Sequence, residues 1–227
     1  MSIYTDGTYY KNNPTWDLEH SSFKARYVAQ LLRRNSIIPN NILDIGCGVG
    51  GVLFEMSKIY SHANLTGYDV SPQAIHEGKK MFGNKITFIS VDPASSNNSY
   101  DLTMALDVIE HIEDYFTLMK EMKNLSENKI FHIPLEINLR WVLRPNLFSG
   151  ANAKNGHIHF FNKESAMCAL KWAGLEVLDY TLTPHAIELA SSAKAKVAAI
   201  PRRAMSIISP EIATRVFGGW SLLVLAK

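Results

Sequence analysis

A glycine-rich stretch, ILDIGCGVGG at residues 42–51, holds the residue types that best predict chemistry in this chain. Gly46, Gly48 and Gly51 follow the pattern G-x-G-x-x-G, which lets a turn approach a ligand closely and places the N–H groups of the next helix beside it. Asp69 ends the next apolar run, where a carboxylate accepts hydrogen bonds from ribose hydroxyls. The stretch predicts a site for an adenosine-containing cofactor, and the glycines alone do not say which one.

Three further features distinguish a dinucleotide from S-adenosylmethionine. Asp44 lies just before the first glycine, where its carboxylate suits a ligand with a positive ammonium group and repels a pyrophosphate. Asp92, in SVDP beyond the third predicted strand, is placed to accept a hydrogen bond from an adenine amino group. The third feature is the segment LDVIEHIED after the fourth predicted strand. Together they favour S-adenosylmethionine.

Four segments, DIGCGVGG, GYD, SVDP and YDLTMALDVIEHIED, resemble in order and spacing the motifs of class I S-adenosylmethionine-dependent methyltransferases. The specific part of the resemblance covers about residues 41–134, and GLEVLDY and WSLLVLA resemble the antiparallel last two strands of that family. The resemblance implies a set of cofactor-binding residues: Asp44, Gly46, Gly48 and Gly50 around the methionine end, Asp69 on the ribose, Asp92 on the adenine, Asp107 along the cofactor, and Ile45 and Val70 as apolar walls.

Other interpretations stay open. Gly50 and Gly51 also fit a role in helix–strand packing. Asp92 fits a turn, and Cys47 fits small-residue packing. A nicotinamide-dependent oxidoreductase agrees with G-x-G-x-x-G but not with Asp44 and Asp92, and the sequence contains no recognisable catalytic Tyr-x-x-x-Lys pattern. A cofactor-binding partner protein that kept the fold and lost turnover fits as well, because methyl transfer needs few dedicated groups.

Histidine is the predicted general base, if the reaction uses one. Transfer of a sulfonium methyl group is an in-line displacement whose main demand is the position of the acceptor atom. A base helps when the acceptor is a hydroxyl or a protonated amine, and histidine titrates in the useful range. His111 in VIEHIED and His157 in GHIHFF are the first candidates, ahead of His159 and His132, and each also fits a packing role. No metal is expected, because the acidic pair and asparagine of magnesium-dependent relatives have no counterpart in this sequence.

The elements that position these residues alternate along the chain. Short apolar runs, NILDIG, NLTGYD, KITFISV, YDLTMALD and NKIFHIP, are separated by helical stretches, and a further helix is predicted over Ser21–Arg34. This alternation is typical of βα units on a parallel sheet with helices on both faces. Together with the strand pair implied by the resemblance, it predicts an α/β fold with a Rossmann-like, seven-stranded, mostly parallel sheet and an antiparallel C-terminal hairpin.

One methyltransferase domain is expected over residues 1–227. Its cofactor-binding core is 41–134, preceded by an N-terminal lid and helix at 1–34. Two stretches, 135–161 and 183–217, are long and poorly periodic, which predicts insertions that serve the acceptor side of the site.

The acceptor is expected to be a small molecule. Aromatic side chains and arginines in these stretches suit a sugar, an aromatic ring or a phosphorylated compound, with a sugar or lipid-linked sugar slightly favoured. Helical pieces interrupted at Pro201 and Pro210 are expected in the second insertion. Its basic residues also fit contact with an anionic membrane, although a solvated helix face explains them as well.

Composition limits the other functions. With 47% hydrophobic and 19% charged residues and a net charge of +2, the chain resembles an ordinary soluble globule and no nucleic-acid partner is expected. Cys47 and Cys168 have no companion at metal or redox spacing. The start of the chain lacks signal-peptide features and no apolar stretch reaches membrane-spanning length, so the expected location is the cytoplasm.

Overall fold

The structure is built around a seven-stranded sheet. This computed structural model describes residues 11–13, 15–90, 92–93 and 99–227. The strands are β1 (Asn41–Ile45), β2 (Asn64–Tyr68), β3 (Thr87–Ile89), β4 (Tyr100–Leu106), β5 (Ser126–Pro134), β6 (Val177–Thr183) and β7 (Ser221–Ala226). They lie in the order β3-β2-β1-β4-β5-β7-β6; the first five are parallel, and β7 is antiparallel to β5 and β6. The predicted α/β, Rossmann-like fold is confirmed.

Helices cover both faces of this sheet. Successive strand residues point to opposite faces, so Ile42 packs in one buried cluster with Leu32 and Leu53, while Leu43 packs in the other with Met119. The strands are continuously apolar because both faces are buried. The helices are α1 (Ser21–Arg34), α2 (Gly51–Ile59), α3 (Pro72–Phe82), α4 (Tyr115–Leu125), α5 (Leu139–Val142), α6 (Asn146–Asn155), α7 (Lys163–Trp172), α8 (His185–Glu188), α9 (Ala193–Ile208) and α10 (Pro210–Phe217).

Helix α1 confirms the predicted Ser21–Arg34. It buries Val28, Leu31 and Leu32 and contacts α2, β6 and β7. Because Lys24 lies one turn before Val28 on the same helix, its side chain starts from the buried side of α1.

The carboxyl ends of β1, β2 and β4 meet at one edge of the sheet. Strand β1 lies between β2 and β4, and the chain crosses from β3 at the edge to β4 on the other side of β1. A crevice for ligands forms at such a reversal of strand order. Gly46 follows β1, Asp69 follows β2 and Asp107 follows β4, so the fold brings these three residues to the crevice.

The prediction that Pro201 interrupts a helix is wrong. Helix α9 continues through Pro201, and Ala199 and Arg202 on the same turn are buried. Proline costs one backbone hydrogen bond, but its fixed φ is compatible with a helix, and packing of this turn compensates. Pro210 does separate two helices as predicted, because it is the first residue of α10.

Strand β3 is shorter than the run KITFISV suggests. Its pairing with β2 covers Thr87–Ile89, and Val91 lies outside the described residues. Across the described ranges, no helix is long and apolar enough to cross a membrane.

Candidate active site

The turn after β1 is held against the end of β2. The N–H groups of Gly46 and Cys47 both donate to the carbonyl of Tyr68, at 2.8 and 3.0 Å. Gly46 has a φ of +71°, and a Cβ added there would lie 2.6 Å from Cγ2 of Val108. Both facts disfavour any side chain at this position. The backbone of the turn therefore forms a wall of the adjoining cavity directly.

Asp69, at the end of β2, accepts hydrogen bonds from two backbone N–H groups. Its Oδ2 accepts from Gly48 and its Oδ1 from Ser71, both at 2.8 Å. Burial raises the pKa of Asp69, and the two N–H groups act in the opposite direction. Each oxygen keeps a further lone pair, so this carboxylate has capacity to accept hydrogen bonds from a ligand.

Asp44 places a buried carboxyl group beside the same turn. The residue is 3% exposed, and its Oδ1 has no hydrogen-bond partner among the described residues. Burial raises the pKa of Asp44 to about 8; the charge of Lys24 acts against burial and that of Asp69 adds to it. A buried oxygen without a partner destabilises the ligand-free protein. A cationic ligand group at this position fits the site and relieves that cost.

A cavity of about 1220 Å³ adjoins these residues. Ligand pockets commonly measure about 300–1,000 Å³, so this one has room for a cofactor and a second small molecule. The three stretches outside the predicted core also line it, through Trp16 and Lys24, Glu136 and His157, and His185 and Arg202. Eight of the residues predicted to bind the cofactor border it: Asp44, Ile45, Gly46, Gly48, Asp69, Val70, Asp92 and Asp107.

Gly50 differs from those eight residues. It does not border the cavity as the described residues form it, and its φ is +86°. A Cβ added to Gly50 would lie 2.7 Å from Cζ of Phe88, a core residue of β3. The structure therefore requires this glycine for packing of the turn against β3.

Asp107, directly after β4, binds side chains from two other elements. Its φ of +57° is uncommon for a residue with a side chain. Its Oδ2 accepts from Nζ of Lys24 at 2.8 Å, and its Oδ1 lies 2.6 Å from Nδ1 of His132. Burial alone would raise the pKa of Asp107, but His132 and Lys24 outweigh burial and hold that pKa well below its usual range. The carboxylate is therefore charged and fixed at the cavity wall.

This polar network extends in both directions from Asp107. Lys24 also binds Oδ2 of Asp17 at 2.8 Å, which attaches the segment before α1. Burial lowers the pKa of Lys24, but the charges of Asp107 and Asp17 outweigh burial and the pKa lies above its usual value. On the other side, Nε2 of His132 lies 2.8 Å from Oγ1 of Thr183. The network thus connects the N-terminal side of the cavity with β4, β5 and β6.

Glu110, His111 and His157 form a second cluster at the cavity wall. One ring nitrogen of each histidine and one oxygen of Glu110 lie within 4.8 Å of one another. The two rings meet edge to face, with centroids 4.8 Å apart. Nδ1 of His111 lies 3.3 Å from the carbonyl of Gly156, and Nδ1 of His157 lies 2.8 Å from Oε2 of Glu136. The first insertion therefore supplies half of a site whose other half follows β4.

Burial controls the charges in this cluster. Glu110 is 0% exposed, and neither carboxyl oxygen finds a hydrogen-bond partner in the described part of the chain. Burial, with the charge of Asp107, raises the pKa of Glu110 well above its usual value. Burial, with the charge of His157, lowers the pKa of His111 to about 4. At neutral pH His111 is uncharged and has the capacity to accept a proton.

The other two candidate histidines are placed differently. His132 is 3% exposed and both of its ring nitrogens have partners, although it borders the cavity. His159 does not border the cavity within the described ranges. Its Nε2 lies 3.3 Å from the carbonyl of Glu113, and its ring packs edge to face against Tyr115. The alternation of His157 and His159 along the chain thus separates them onto different sides.

Sequence reasoning did not single out Lys24, Glu110, Glu136 or His185. For two of these residues, the local sequence has a feature that could have identified them. Lys24 interrupts the apolar side of a helix, where a charged group needs a partner. Glu110 stands in the apolar part of VIEHIED beside His111. Nothing local marks Glu136 or His185, which become part of the site only because the insertions fold over the cavity.

Comparison with known proteins places the chain in a family. The family described as "Methyltransferase domain" matches residues 19–180. The mitochondrial ubiquinone biosynthesis O-methyltransferase of Schizosaccharomyces pombe is 32% identical over 116 residues, which is 45% of this chain and 42% of that protein. Trans-aconitate 2-methyltransferase of Streptomyces coelicolor is 35% identical over 77 residues, 31% of this chain and 25% of that protein. The chain thus matches less than half the length of these two curated relatives.

Solved structures agree at the level of the fold. The crystal structure of magnesium protoporphyrin IX methyltransferase from Synechocystis PCC 6803, with bound SAH, has a TM-score of 0.60 and 18% identity. The match covers 90% of this chain and 82% of that one. At this identity the likeness shows the fold alone. The family match itself runs from just before α1 into β6, well over half of the chain, and on that basis the chain belongs to the class I, S-adenosylmethionine-dependent methyltransferase family that its motifs predict.

Proposed function

We propose that the protein transfers a methyl group from S-adenosylmethionine to an oxygen or nitrogen of a small molecule. S-adenosylmethionine carries this methyl group on a positively charged sulfur, so the group is already activated. The carboxyl group of Asp44 carries the proposal, because its buried Oδ1 has no partner among the described residues and the residue borders the cavity. A ligand ammonium group supplies the missing partner, whereas a pyrophosphate adds repulsion.

The donor side is assigned to residues at the ends of β1, β2 and β4. Asp44, with the turn backbone at Gly46 and Gly48, holds the methionine end. Asp69 accepts from the ribose hydroxyls with the lone pairs left over from its two N–H contacts. Asp107 acts as a charged wall fixed by Lys24. Gly50 acts through the shape of the turn.

Two further contacts complete the donor side of this proposal. Asp92, which is exposed at the cavity rim, accepts from the adenine amino group. Ile45 and Val70 supply apolar surface beside the cofactor. Ile45 is 5% exposed and Val70 is 55% exposed, so a bound adenosine would cover Val70 more than Ile45.

The acceptor side is assigned to His111 and His157. The acceptor oxygen or nitrogen lies behind the methyl carbon, forms a bond to it as the bond to sulfur breaks, and loses a proton. His111 is uncharged at neutral pH because its pKa is about 4, so a ring nitrogen is available to accept that proton. Glu136 orients His157 through the contact with Nδ1. The donor leaves as S-adenosylhomocysteine.

The acceptor class is a small molecule, with a sugar or lipid-linked sugar as the narrower form of the proposal. Arg140 and Arg202 both border the cavity. Arg202 donates to the carbonyls of Gly218, Ala198 and Phe217 and is therefore occupied in holding α9. Arg140 is exposed and is the better candidate to contact a polar or anionic acceptor.

Calorimetric titration with S-adenosylhomocysteine, run beside NAD and NADP, tests the donor assignment. Saturable binding of S-adenosylhomocysteine alone is expected. Binding of a nicotinamide cofactor alone would overturn the proposal. A screen of small hydroxyl and amine compounds with radiolabelled S-adenosylmethionine then tests turnover; binding of the donor without methylation of any compound would favour a non-catalytic partner protein.

A further inference from the structure

The carboxyl group of Glu110 has no part in the transfer proposed above. It is fully buried, both of its oxygens lack a hydrogen-bond partner among the residues described, and it lies at the cavity wall. A buried carboxyl group with two unsatisfied oxygens is rare in a folded protein unless a ligand or ion completes it. A ligand or ion from outside the chain would therefore satisfy these two oxygens.

Two histidines are oriented around this carboxyl group. Nε2 of His111 lies 3.8 Å from Oε1 of Glu110. Nδ1 of His111 faces the carbonyl of Gly156, and Nδ1 of His157 faces the carboxylate of Glu136. Both acceptors favour a proton on Nδ1, so that in each neutral ring the lone pair is on Nε2.

A carboxylate or carbonyl behind Nδ1 is also the usual outer contact of a metal-binding histidine. Two imidazoles and one carboxylate form a donor set that suits Zn²⁺, Co²⁺ or Mn²⁺. We infer that Glu110, His111 and His157 bind one such divalent cation at the acceptor end of the cavity, with Glu136 as the residue that positions His157.

A cation at this position deepens the proposed function and rests on it for its role. It would hold the acceptor hydroxyl and make its proton easier to lose, so that the proton passes to solvent and the oxygen attacks the methyl carbon. His111 and His157 then act as ligands, and their role as proton acceptors belongs to the cation-free protein. Cation binding itself does not depend on this role.

A second group of side chains, Asp17, Glu19 and His20, meets the same distance criterion but differs in its chemistry. Its members are partly or fully exposed, Glu19 most of all. Asp17 is already bound to Lys24 and His20. These side chains serve as a comparison in the test rather than as a proposed site.

The test measures cation binding directly. Full-length protein is treated with EDTA, desalted, and titrated with Co²⁺ by visible absorption and with Zn²⁺ by calorimetry. Glu110→Gln and His157→Gln remove proposed ligands, and His159→Gln and His20→Gln are matched controls. We expect one strong site per chain, weakened at least about 100-fold in the first pair and unchanged in the controls. Glu136→Gln should weaken it about 10–100-fold, as loss of an outer contact does.

Two results would overturn the inference. One is the absence of saturable Co²⁺ or Zn²⁺ binding to the wild-type protein. The other is binding that persists in Glu110→Gln and His157→Gln or that disappears in His20→Gln. Thermal melting of each variant identifies any that fail to fold, and Glu136→Gln, which keeps the ligands, provides an independent variant. Binding of S-adenosylhomocysteine, measured in parallel, separates failure of this inference from failure of the proposed function.

Discussion

Nζ of Lys24 lies 2.8 Å from Oδ2 of Asp107, which joins the first long helix to the end of β4 at the wall of the cavity. The side chain of Lys24 is 13% exposed and that of Asp107 is 27% exposed. Since Lys24 also binds Asp17, one ammonium group holds two carboxylates from different segments. We therefore expect this ion pair to stabilise the fold as well as to form part of the cavity wall.

Lys24→Met should therefore destabilise the protein. Removal of one partner from a fully buried pair costs about 3–5 kcal/mol, and partial exposure of Asp107 reduces the expected loss to about 2–3 kcal/mol. Urea unfolding measures it. Lys58→Met, which breaks the exposed pair with Glu55, is the control and should cost under about 1 kcal/mol. Equal losses of unfolding free energy in the two variants would show that the Lys24 pair stabilises the protein no more than an exposed pair does.

Asp44 should make cofactor binding depend on pH. Its pKa of about 8 in the ligand-free protein must fall when an ammonium group binds beside it, so a proton is released. Affinity for S-adenosylhomocysteine is then expected to rise as pH increases from 6 to 8, by up to about tenfold per unit, and to level off above 8. Calorimetry in buffers of different ionisation enthalpy counts the protons released.

The same group makes an opposite contribution to the stability of the ligand-free protein. Burial holds the folded-state pKa of Asp44 above its usual value of 3.8, so the folded state binds the proton more tightly than the unfolded state does. The stability that results is fully present below about pH 4 and is lost as pH rises through about 8. Asp44→Asn should remove both pH dependences. Their persistence in Asp44→Asn would assign them to another group.

Asp69→Ala should abolish or greatly weaken binding of S-adenosylhomocysteine in a folded protein. Asp101 provides a matched control, because its Oδ2 accepts from the N–H groups of Asn40 and Asn41 at 2.7 and 2.9 Å. Asp101 does not border the cavity within the described ranges. Asp101→Ala should therefore lose similar local contacts and keep its cofactor affinity. Near-normal affinity in Asp69→Ala would remove the ribose assignment.

His111→Ala should bind S-adenosylhomocysteine normally and methylate the true acceptor slowly. A positioned base contributes about 10²–10⁴-fold to a rate, so kcat is expected to fall within that range. Because the pKa of His111 is about 4, its protonation should not reduce the rate between pH 6 and 8. His159→Ala, outside the cavity, is the control for kinetic measurements. Unchanged turnover in His111→Ala would make His111 a packing residue.

Local patterns predicted the fold and most of the residues at the strand ends that border the cavity. Strand periodicity and the glycine turn depend on neighbours in the chain, so Gly46, Asp69 and α1 follow from the sequence. Lys24 and Asp107 are far apart along the chain, and their contact depends on how α1 crosses the sheet edge. Gly50 is a second example of a contact that the sequence does not predict. Only the folded structure shows that a side chain at this position would collide with Phe88.

The two insertions were predicted to serve the site, and both line the cavity, but their contacts were not predicted. The lengths of these insertions are the basis of that prediction, since long aperiodic stretches in a compact domain commonly serve a site. The contact between Glu136 and His157 required the first insertion to fold back on itself. Pro201 was mispredicted because tertiary packing overrode the local preference of proline.

The cavity has walls of two structural kinds. The glycine turn, Asp69 and Asp107 directly follow β1, β2 and β4, and the register of these strands fixes their positions relative to one another. The walls that follow β5 and β6 are insertions between one strand of the sheet and the next. Those segments can therefore be lengthened, shortened or replaced without moving the strand ends, so they are the part of the cavity whose binding specificity can be redesigned with the least effect on the fold.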